Sequence, residues 1–135
     1  MKVKQLTVFL ENRKGRLYEV MEILKEVDVN VLAACIAETS DFGLVRMLVS
    51  DPEKAKDVLK EKGIMARLNE IICVLIPHEA GSLEKLLKVM SDEEINIKYM
   101  YGISTEQNEA AIALKTDDIQ KTVDLFRSLG LKGFC

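Results

Sequence analysis

The sequence predicts an α+β fold in which two tandem β-α-β-β-α-β units pack together, each with an antiparallel sheet and its helices on one face. One reason is periodicity, because apolar residues alternate in some segments and recur every three or four residues in others. Another is repetition, since the loop that contains Gly15 and Leu17 returns as Gly81 and Leu83, 66 positions later. The third is composition, because 48% of the residues are hydrophobic, which is enough for a packed core.

The first fifty residues contain a predicted strand, a helix and a hairpin. Lys2 to Leu10 alternates apolar residues in the manner of a strand, and Arg16 to Asp28 places them at helical spacing. Val31 to Glu38 is apolar and β-branched at its start, which favours a second strand. Thr39 to Gly43 has turn chemistry, so Leu44 to Val49 is predicted to return as the other strand of a hairpin.

A second helix and a fourth strand complete the first unit. Asp51 is a good N-cap residue and Pro52 suits the first helical position, so the helix is predicted to begin here. Gly63 suits the C-terminal cap of this helix. The fourth strand falls somewhere within Ile64 to Asn69. The first unit is therefore predicted to cover residues 1–69.

The second half of the chain repeats the same order of patterns. Strand, loop and helix positions match at an offset of 66, and Gly130 matches Gly63 after a single-residue insertion. No linker rich in Gly, Ser or Pro separates the halves, and the second unit is predicted to cover residues 70–135. Each unit is small and leaves the edges of its sheet open, so the two are expected to pack together.

The loop between the first strand and the first helix is the predicted site in each unit. A glycine just before a helix allows another molecule to approach the backbone. The first helical turn offers unpaired N–H groups and the positive end of the helix dipole. These features suit a carboxylate or a phosphate, and the backbone of Gly15, Arg16 and Leu17 is the candidate in the first unit.

Composition and charge argue against several classes of function. A net charge of −3 and a pI of about 5.3 disfavour a general nucleic-acid binder. No apolar run approaches the roughly 20 residues that span a bilayer, and the N-terminus lacks the apolar segment of a signal peptide. Cys35, Cys73 and Cys135 are far apart and form no CxxC, which fits a reducing cytoplasm better than disulfides or a metal site. We predict a cytoplasmic protein with no metal, no cofactor and neither a membrane nor a nucleic-acid partner.

Two motifs in each half resemble those of the ACT domain family. A D/E/N-x-x-G-x-L loop follows the first strand, and an Asn followed by Ile or Val comes thirteen residues after its Leu. The first half has Asn12 to Leu17 with Asn30-Val31, and the second has His78 to Leu83 with Asn96-Ile97. The resemblance covers nearly the whole chain and is to the small stand-alone tandem ACT proteins. It implies a ferredoxin-like fold and a regulatory module that binds an amino acid between paired units.

The resemblance also implies where the ligand binds. It contacts the loop after the first strand of one unit and the second strand of the neighbouring unit. Serine-sensing members use a His and an Asn two residues apart in the loop, and a second Asn at the start of strand two. Here Leu10 takes the His position, and His78 takes the loop Asn position of the second unit, so the two sites differ. Lys14 and Ala80 replace the Pro that precedes the loop Gly in many members. The predicted ligand-binding residues are Asn12, Arg13, Lys14, Gly15, Arg16, Leu17, Asn30, Val31, His78, Ala80, Gly81, Ser82, Leu83, Asn96 and Ile97.

Several of these residues also have a purely structural explanation. Asn12 is equally well explained as a turn or cap residue, whereas the recurrence of Asn30 as Asn96 favours ligand contact. Surface cations such as Arg13 attract anions but are commonly only solvated. His78 has no Ser or Cys beside it and no acidic partner poised across a fold, so it is interpreted as a loop or ligand-contact residue rather than a catalyst.

The sequence leaves two functions open. The first is a non-catalytic amino-acid sensor, in which the ligand tightens the interface between units. The alternative is a protein–protein assembly module that uses the same paired sheets without a ligand. ACT relatives commonly form dimers or larger assemblies, so a homodimer or higher oligomer is expected. RNA binding is disfavoured because the strands lack the aromatic and basic residues that such sheets use.

Overall fold

The structure is a computed structural model that describes residues 1–11, 13–38, 42–105 and 108–134. The chain divides into two compact units, one of Lys4–Asn69 and the other of Met1–Val3 with Glu70–Cys135. The β-α-β-β-α-β order occurs twice, which confirms the predicted α+β, ferredoxin-like fold class. The elements are β1 (Lys2–Glu11), α1 (Arg16–Glu26), β2 (Val31–Glu38), β3 (Phe42–Val49), α2 (Pro52–Glu61), β4 (Ala66–Pro77), α3 (Ser82–Asp92), β5 (Ile97–Ile103), β6 (Glu109–Thr116), α4 (Ile119–Ser128) and β7 (Lys132–Gly133).

In the Lys4–Asn69 unit, β3 lies between β1 and β2. Both pairs are antiparallel, and Met47 of β3 is opposite Leu6 on one side and Ala34 on the other. On the far side of β1, the N–H of Phe9 donates to the carbonyl of Met65 at 3.0 Å, just before β4 begins. The hairpin of β2 and β3 therefore lies on one side of β1, and the chain returns from α2 on the other.

The core of this unit lies between its sheet and its two helices. One face of β1 buries Leu6, Val8 and Leu10, whereas Phe9 on the other face is only half-buried. Each fully buried Leu or Val contributes about 1.5–3 kcal/mol relative to an exposed one. Both helices cover the same face of the sheet, as predicted. Their buried residues are Val20, Leu24, Ala55 and Leu59.

The second unit has the same arrangement. β4 pairs with β6 on one side and with β7 on the other, β5 pairs with β6, and all three pairs are antiparallel. The carbonyl of Met1 accepts a hydrogen bond of 2.9 Å from the N–H of Cys73, which joins Met1–Val3 to this unit. Its buried core consists of Ile72, Val74, Ile76, Leu86, Met90, Ile95, Leu114, Val123 and Phe126.

The bounds of some elements differ from the predicted ones. α1 ends at Glu26 because Asp28 has a left-handed φ of +58°, which a helix cannot continue through. β3 begins at Phe42, inside the predicted turn. The predicted fourth strand continues into the first strand of the second half as β4, because no Gly or Pro interrupts the chain from Ala66 to Ile76. The predicted division after Asn69 therefore falls inside a strand.

Candidate functional site

α1 begins at Arg16, directly after a glycine in the left-handed conformation. Gly15 has φ +81° and ψ −4°, a region that residues with a Cβ enter only at a cost. None of the described side chains caps the first turn of α1. At α2, by contrast, the side chain of Asp51 accepts a hydrogen bond of 3.2 Å from the N–H of Lys54. The start of α1 therefore keeps N–H donors for solvent or a ligand.

A cavity of about 320 Å³ lies at this start of α1. Arg13, Gly15, Arg16 and Leu17 line it, so the structure brings together four of the predicted site residues. Lys14 is exposed and does not line the cavity. Asn12, which is also predicted to contact the ligand, lies outside the described residues. The remaining lining residues are Leu10, Glu11, Tyr18 and Gly43.

Sequence reasoning missed Gly43 and Tyr18 as part of this site. Gly43 is the residue of β3 that pairs with Leu10 of β1, next to the loop. The sequence pattern placed Gly43 in a turn, and only the register between the two strands shows that it reaches the cavity. Tyr18 is a large apolar side chain on an exposed part of α1. In the sequence it falls outside the apolar stripe of this helix, and that position is the signal that could have identified it.

Glu19 organises the two arginines of this loop. Its Oε2 accepts a hydrogen bond of 2.7 Å from Nη1 of Arg16 and lies 3.7 Å from Nη2 of Arg13. Arg13 also contacts the carboxylate of Glu11, at 3.2 Å. The side chain of Arg16 is only 17% exposed, whereas Arg13 is an exposed surface cation. Arg13 is therefore a solvated surface cation, whereas the side chain of Arg16 is held in the wall of the cavity.

A second cavity, of about 460 Å³, shares Leu10, Glu11 and Arg16 with the first. Within the described part of the chain, Nε of Arg16 is buried and has no hydrogen-bond partner. A buried donor without an acceptor costs about 1–3 kcal/mol. The other residues that line this cavity are Phe9, Gly63, Ile64 and Met65.

Asn30 is exposed just before β2, and its backbone is fixed by Ser50. The N–H of Asn30 donates to Oγ of Ser50 at 2.9 Å, and its carbonyl accepts from the N–H of Ser50 at 2.9 Å. Val31 is half-buried against the core. Asn30 follows the C-terminal end of α1, an 11-residue helix that is roughly 16 Å long. Within one unit, the structure therefore does not bring Asn30 together with the loop at Gly15.

The equivalent loop of the second unit differs in its contacts. Gly81 again has a left-handed φ, of +90°, but the N–H of Ser82 donates to the carbonyl of Glu79 at 3.3 Å. Leu83 and Ala80 are exposed. Ser82 lines a cavity of about 260 Å³ that also includes Leu86 and Leu131.

His78 lies at a different cavity of the second unit. This cavity, of about 410 Å³, includes His78, Gly102 and Thr105 but neither Gly81 nor Ser82. The backbone N–H of His78 donates to the carbonyl of Asn108 at 3.0 Å. Asn96 repeats the backbone arrangement of Asn30, since its N–H donates to Oδ1 of Asp117 at 3.1 Å. The predicted residues of this half are therefore spread over separate places, including Ile97, which packs against the core.

The described residues show neither a metal site nor a membrane span. No group of three or more His, Cys, Asp or Glu side chains within them is arranged to hold a metal ion. None of their helices is long and apolar enough to cross a membrane.

The chain is similar in sequence and in structure to known proteins. A family model described as an ACT domain pair matches residues 1–131. The crystal structure of protein BT0572 from Bacteroides thetaiotaomicron is 35% identical, with a TM-score of 0.93, and the alignment covers 99% of this chain and 92% of that one. No match is found among curated proteins.

More distant structural neighbours show the fold alone. The regulatory subunit of aspartate kinase from Thermus thermophilus, in its ligand-free form, is 11% identical with a TM-score of 0.66, over 95% of this chain and 94% of that one. The corresponding subunit from Thermus flavus is 14% identical with a TM-score of 0.63, over 95% and 94%.

Proposed function

The chain belongs to the family of ACT domain pairs, and from that membership we propose that it is a non-catalytic regulatory module that binds a small amino acid where ACT units pair. The observation that carries the proposal is the start of α1. There the left-handed Gly15 leads into a helical turn that no described side chain caps, inside a cavity. A helix start of this kind binds carboxylates through its N–H groups and its dipole.

The proposed ligand is bound at both ends of its zwitterion. Its α-carboxylate accepts hydrogen bonds from the backbone N–H groups of Arg16 and Leu17. Its ammonium group donates to the side-chain oxygens of Asn12 and Asn30, which are suitable acceptors. Because Asn30 lies at the far end of α1 from Gly15 in its own unit, the proposal requires strand two of a neighbouring unit. That requirement is the reason we expect paired units and a homodimer or larger assembly.

The first unit is proposed to be the stronger of the two sites. In the second unit, the N–H of Ser82 already donates to Glu79, so one donor at the start of α3 is occupied. The proposed contacts there are His78, Ala80, Gly81, Ser82, Leu83, Asn96 and Ile97.

The proposed output is a change in how ACT units pair. A ligand that binds one paired arrangement more tightly than another shifts the population towards it, and a partner protein can read that shift. We place the protein in the cytoplasm, and the free thiols of Cys35 and Cys73 agree with a reducing compartment.

A second candidate function, an assembly module without a ligand, is favoured by the surface of β2. Leu32 and Ile36 on this strand are exposed large hydrophobic residues. β2 pairs with β3 in its own unit and is the last strand on that side of the described sheet. An edge strand with exposed apolar side chains is a surface on which another chain can add a strand.

Thermal unfolding in the presence of each of the twenty amino acids at millimolar concentration separates the two functions. A ligand at 100 times its dissociation constant adds about 2.7 kcal/mol to stability, which for a chain of this size raises the midpoint by about 5 °C or more. We expect one or a few amino acids to raise it, and Asn30→Ala to abolish the rise. Asn96→Ala is the matched variant in the second unit and should reduce the rise less, because the second site is proposed to be the weaker one. No rise with any amino acid would favour the assembly module.

A further inference from the structure

We propose that the amino acid bound by the first unit has an apolar side chain, which enters the 460 Å³ cavity while Arg16 holds the carboxylate. The proposal rests on the proposed function, because it names the class of ligand for the same site. It begins from the fact that this cavity and the smaller one at the start of α1 have Leu10, Glu11 and Arg16 in common. A ligand whose carboxylate lies at Gly15 therefore has adjoining space for its side chain.

The walls of the larger cavity are mainly apolar. Phe9, Leu10, Ile64 and Met65 contribute to them, and Met65 is 60% exposed although it is a large apolar residue. The segment that contains Met65 is fixed on both sides: its carbonyl accepts from Phe9, and the N–H of Ile64 donates to the carbonyl of Leu59 at 2.9 Å. A preformed cavity of this volume with apolar walls is typical of small-molecule sites. Apolar side chains gain most by leaving water for such a cavity.

Arg16 supplies the polar anchor. Glu19 holds its Nη1 at 2.7 Å and fixes the direction of the guanidinium. Arg16 lines both cavities and its side chain is 17% exposed, and a carboxylate is the acceptor that a guanidinium binds most strongly. The carboxylate of Glu11 lines the same cavity and is proposed as a further acceptor for the ammonium group, in addition to Asn12 and Asn30. This arrangement of charge and apolar surface matches a zwitterion with an apolar side chain.

The second unit lacks this anchor. The cavity beside Ser82 is smaller, at about 260 Å³, and Ser82 occupies the position 66 residues after Arg16. Lys85 likewise occupies the position 66 residues after Glu19, so the arginine–glutamate pair has no counterpart there. The preference for an apolar side chain is therefore assigned to the first unit.

Isothermal titration calorimetry on the full chain tests the preference. Leucine, isoleucine and methionine are compared with alanine, serine, aspartate and lysine. Leucine is expected to bind about tenfold or more tightly than alanine, because each buried methylene group adds to the affinity. 3-Methylbutylamine, which is leucine without its carboxylate, is expected to show no measurable binding.

Two substitutions with matched controls test the assigned residues. Arg16→Gln should weaken leucine binding by about tenfold or more, because it removes a charged hydrogen bond, whereas Arg127→Gln on α4 should leave it unchanged. Met65→Glu should weaken it by a similar factor, because it places a charge at the rim of the apolar cavity. Leu129→Glu makes the same change at the cavity of the second unit and should have no effect. Met65, Leu129 and Arg127 are exposed, so these variants are expected to fold.

The outcomes distinguish this inference from the function on which it rests. Tightest binding of serine, aspartate or lysine would overturn the apolar preference and leave amino-acid sensing intact. Equal effects of Met65→Glu and Leu129→Glu would overturn the assignment to this cavity. If no amino acid gives a measurable heat, both the inference and the proposed function are wrong.

Discussion

At the scale of single residues, two glycines set the geometry of the candidate sites. Gly15 and Gly81 have φ values of +81° and +90°, and a Cβ added to either would have no atom of the described residues within 4 Å beyond its own chain neighbours. The cost of a side chain at these positions is therefore conformational and not steric. Glycine is therefore favoured at these positions because the backbone is left-handed, and not because the space around it is tight.

Substitution of Gly15 measures that conformational cost. Gly15→Ala is expected to lower the free energy of unfolding by about 1–2 kcal/mol, because Ala must adopt a left-handed φ. Gly102→Ala is the control, since its Cβ also has open space but its φ is not positive. Urea unfolding of both variants gives the difference. Equal stability of the two would show that the loop does not hold Gly15 in the left-handed region.

The ion pair of Lys4 and Glu53 gives an expected dependence on pH. Nζ of Lys4 lies 2.8 Å from Oε1 of Glu53, and hydrogen bonds from Lys4 and then Lys56 hold the pKa of Glu53 below its ordinary value of 4.5. A carboxyl group whose pKa is lowered by folding stabilises the fold above its unfolded pKa, and that contribution is lost as pH falls through the folded value.

Glu53→Gln is therefore expected to destabilise the protein slightly at pH 7 and to converge with the wild type on acidification well below pH 4.5. The effect is small because both side chains are exposed. Thermal unfolding across this pH range, repeated in a Lys4→Gln background, measures it. A difference that persists unchanged at low pH would show that Glu53 stabilises α2 by some means other than its charge.

At the scale of elements, the ends of the helices repeat between the two units. α2 and α4 are preceded by the N-cap residues Asp51 and Asp118, whose side chains accept hydrogen bonds from the N–H groups three residues further along. α1 and α3 are preceded by glycine and have no cap among the described side chains. The second helix of each unit is thus capped by its own N-cap side chain, whereas the first follows a glycine, which has no side chain to cap it.

The C-terminal ends of α1 and α3 contain left-handed residues other than glycine. Asp28 and Glu94 have φ values of +58° and +57°, and the residues that follow them donate back to Leu24 and Met90 at 2.9 Å. Such positions favour glycine. The two residues therefore store strain at the same place in both units.

Glu94→Gly is expected to raise the free energy of unfolding by about 0.5–1 kcal/mol, because relief of the left-handed strain exceeds the added entropy of the unfolded chain. Glu93→Gly is the matched control and is expected to destabilise, since Glu93 has an ordinary φ of −89°. Chemical denaturation of both variants tests the pair. A destabilised Glu94→Gly would show that the Glu94 side chain contributes more than its backbone strain costs.

At the scale of the whole molecule, the sequence predicted the fold more fully than the site. The order of helices and strands follows from periodicity and repetition along the chain. The bounds of β2, for example, are the predicted ones, Val31 and Glu38. The cavity walls do not follow from them, because Gly43 and Gly63–Met65 reach the loop only through strand register and the return of the chain after α2. The burial of Arg16 could not be predicted either, because the residues that surround it come from segments that are distant in the sequence.

The most direct test of amino-acid binding is a ¹H–¹⁵N NMR titration of the full chain with each of the twenty amino acids. We predict that at least one of them shifts the backbone amides of Gly15, Arg16 and Leu17 and the side-chain amide of Asn30, with saturation. Shifts confined to residues far from these positions would contradict the proposed site. If none of the twenty amino acids gives saturable shifts at millimolar concentration, the proposed function itself is contradicted.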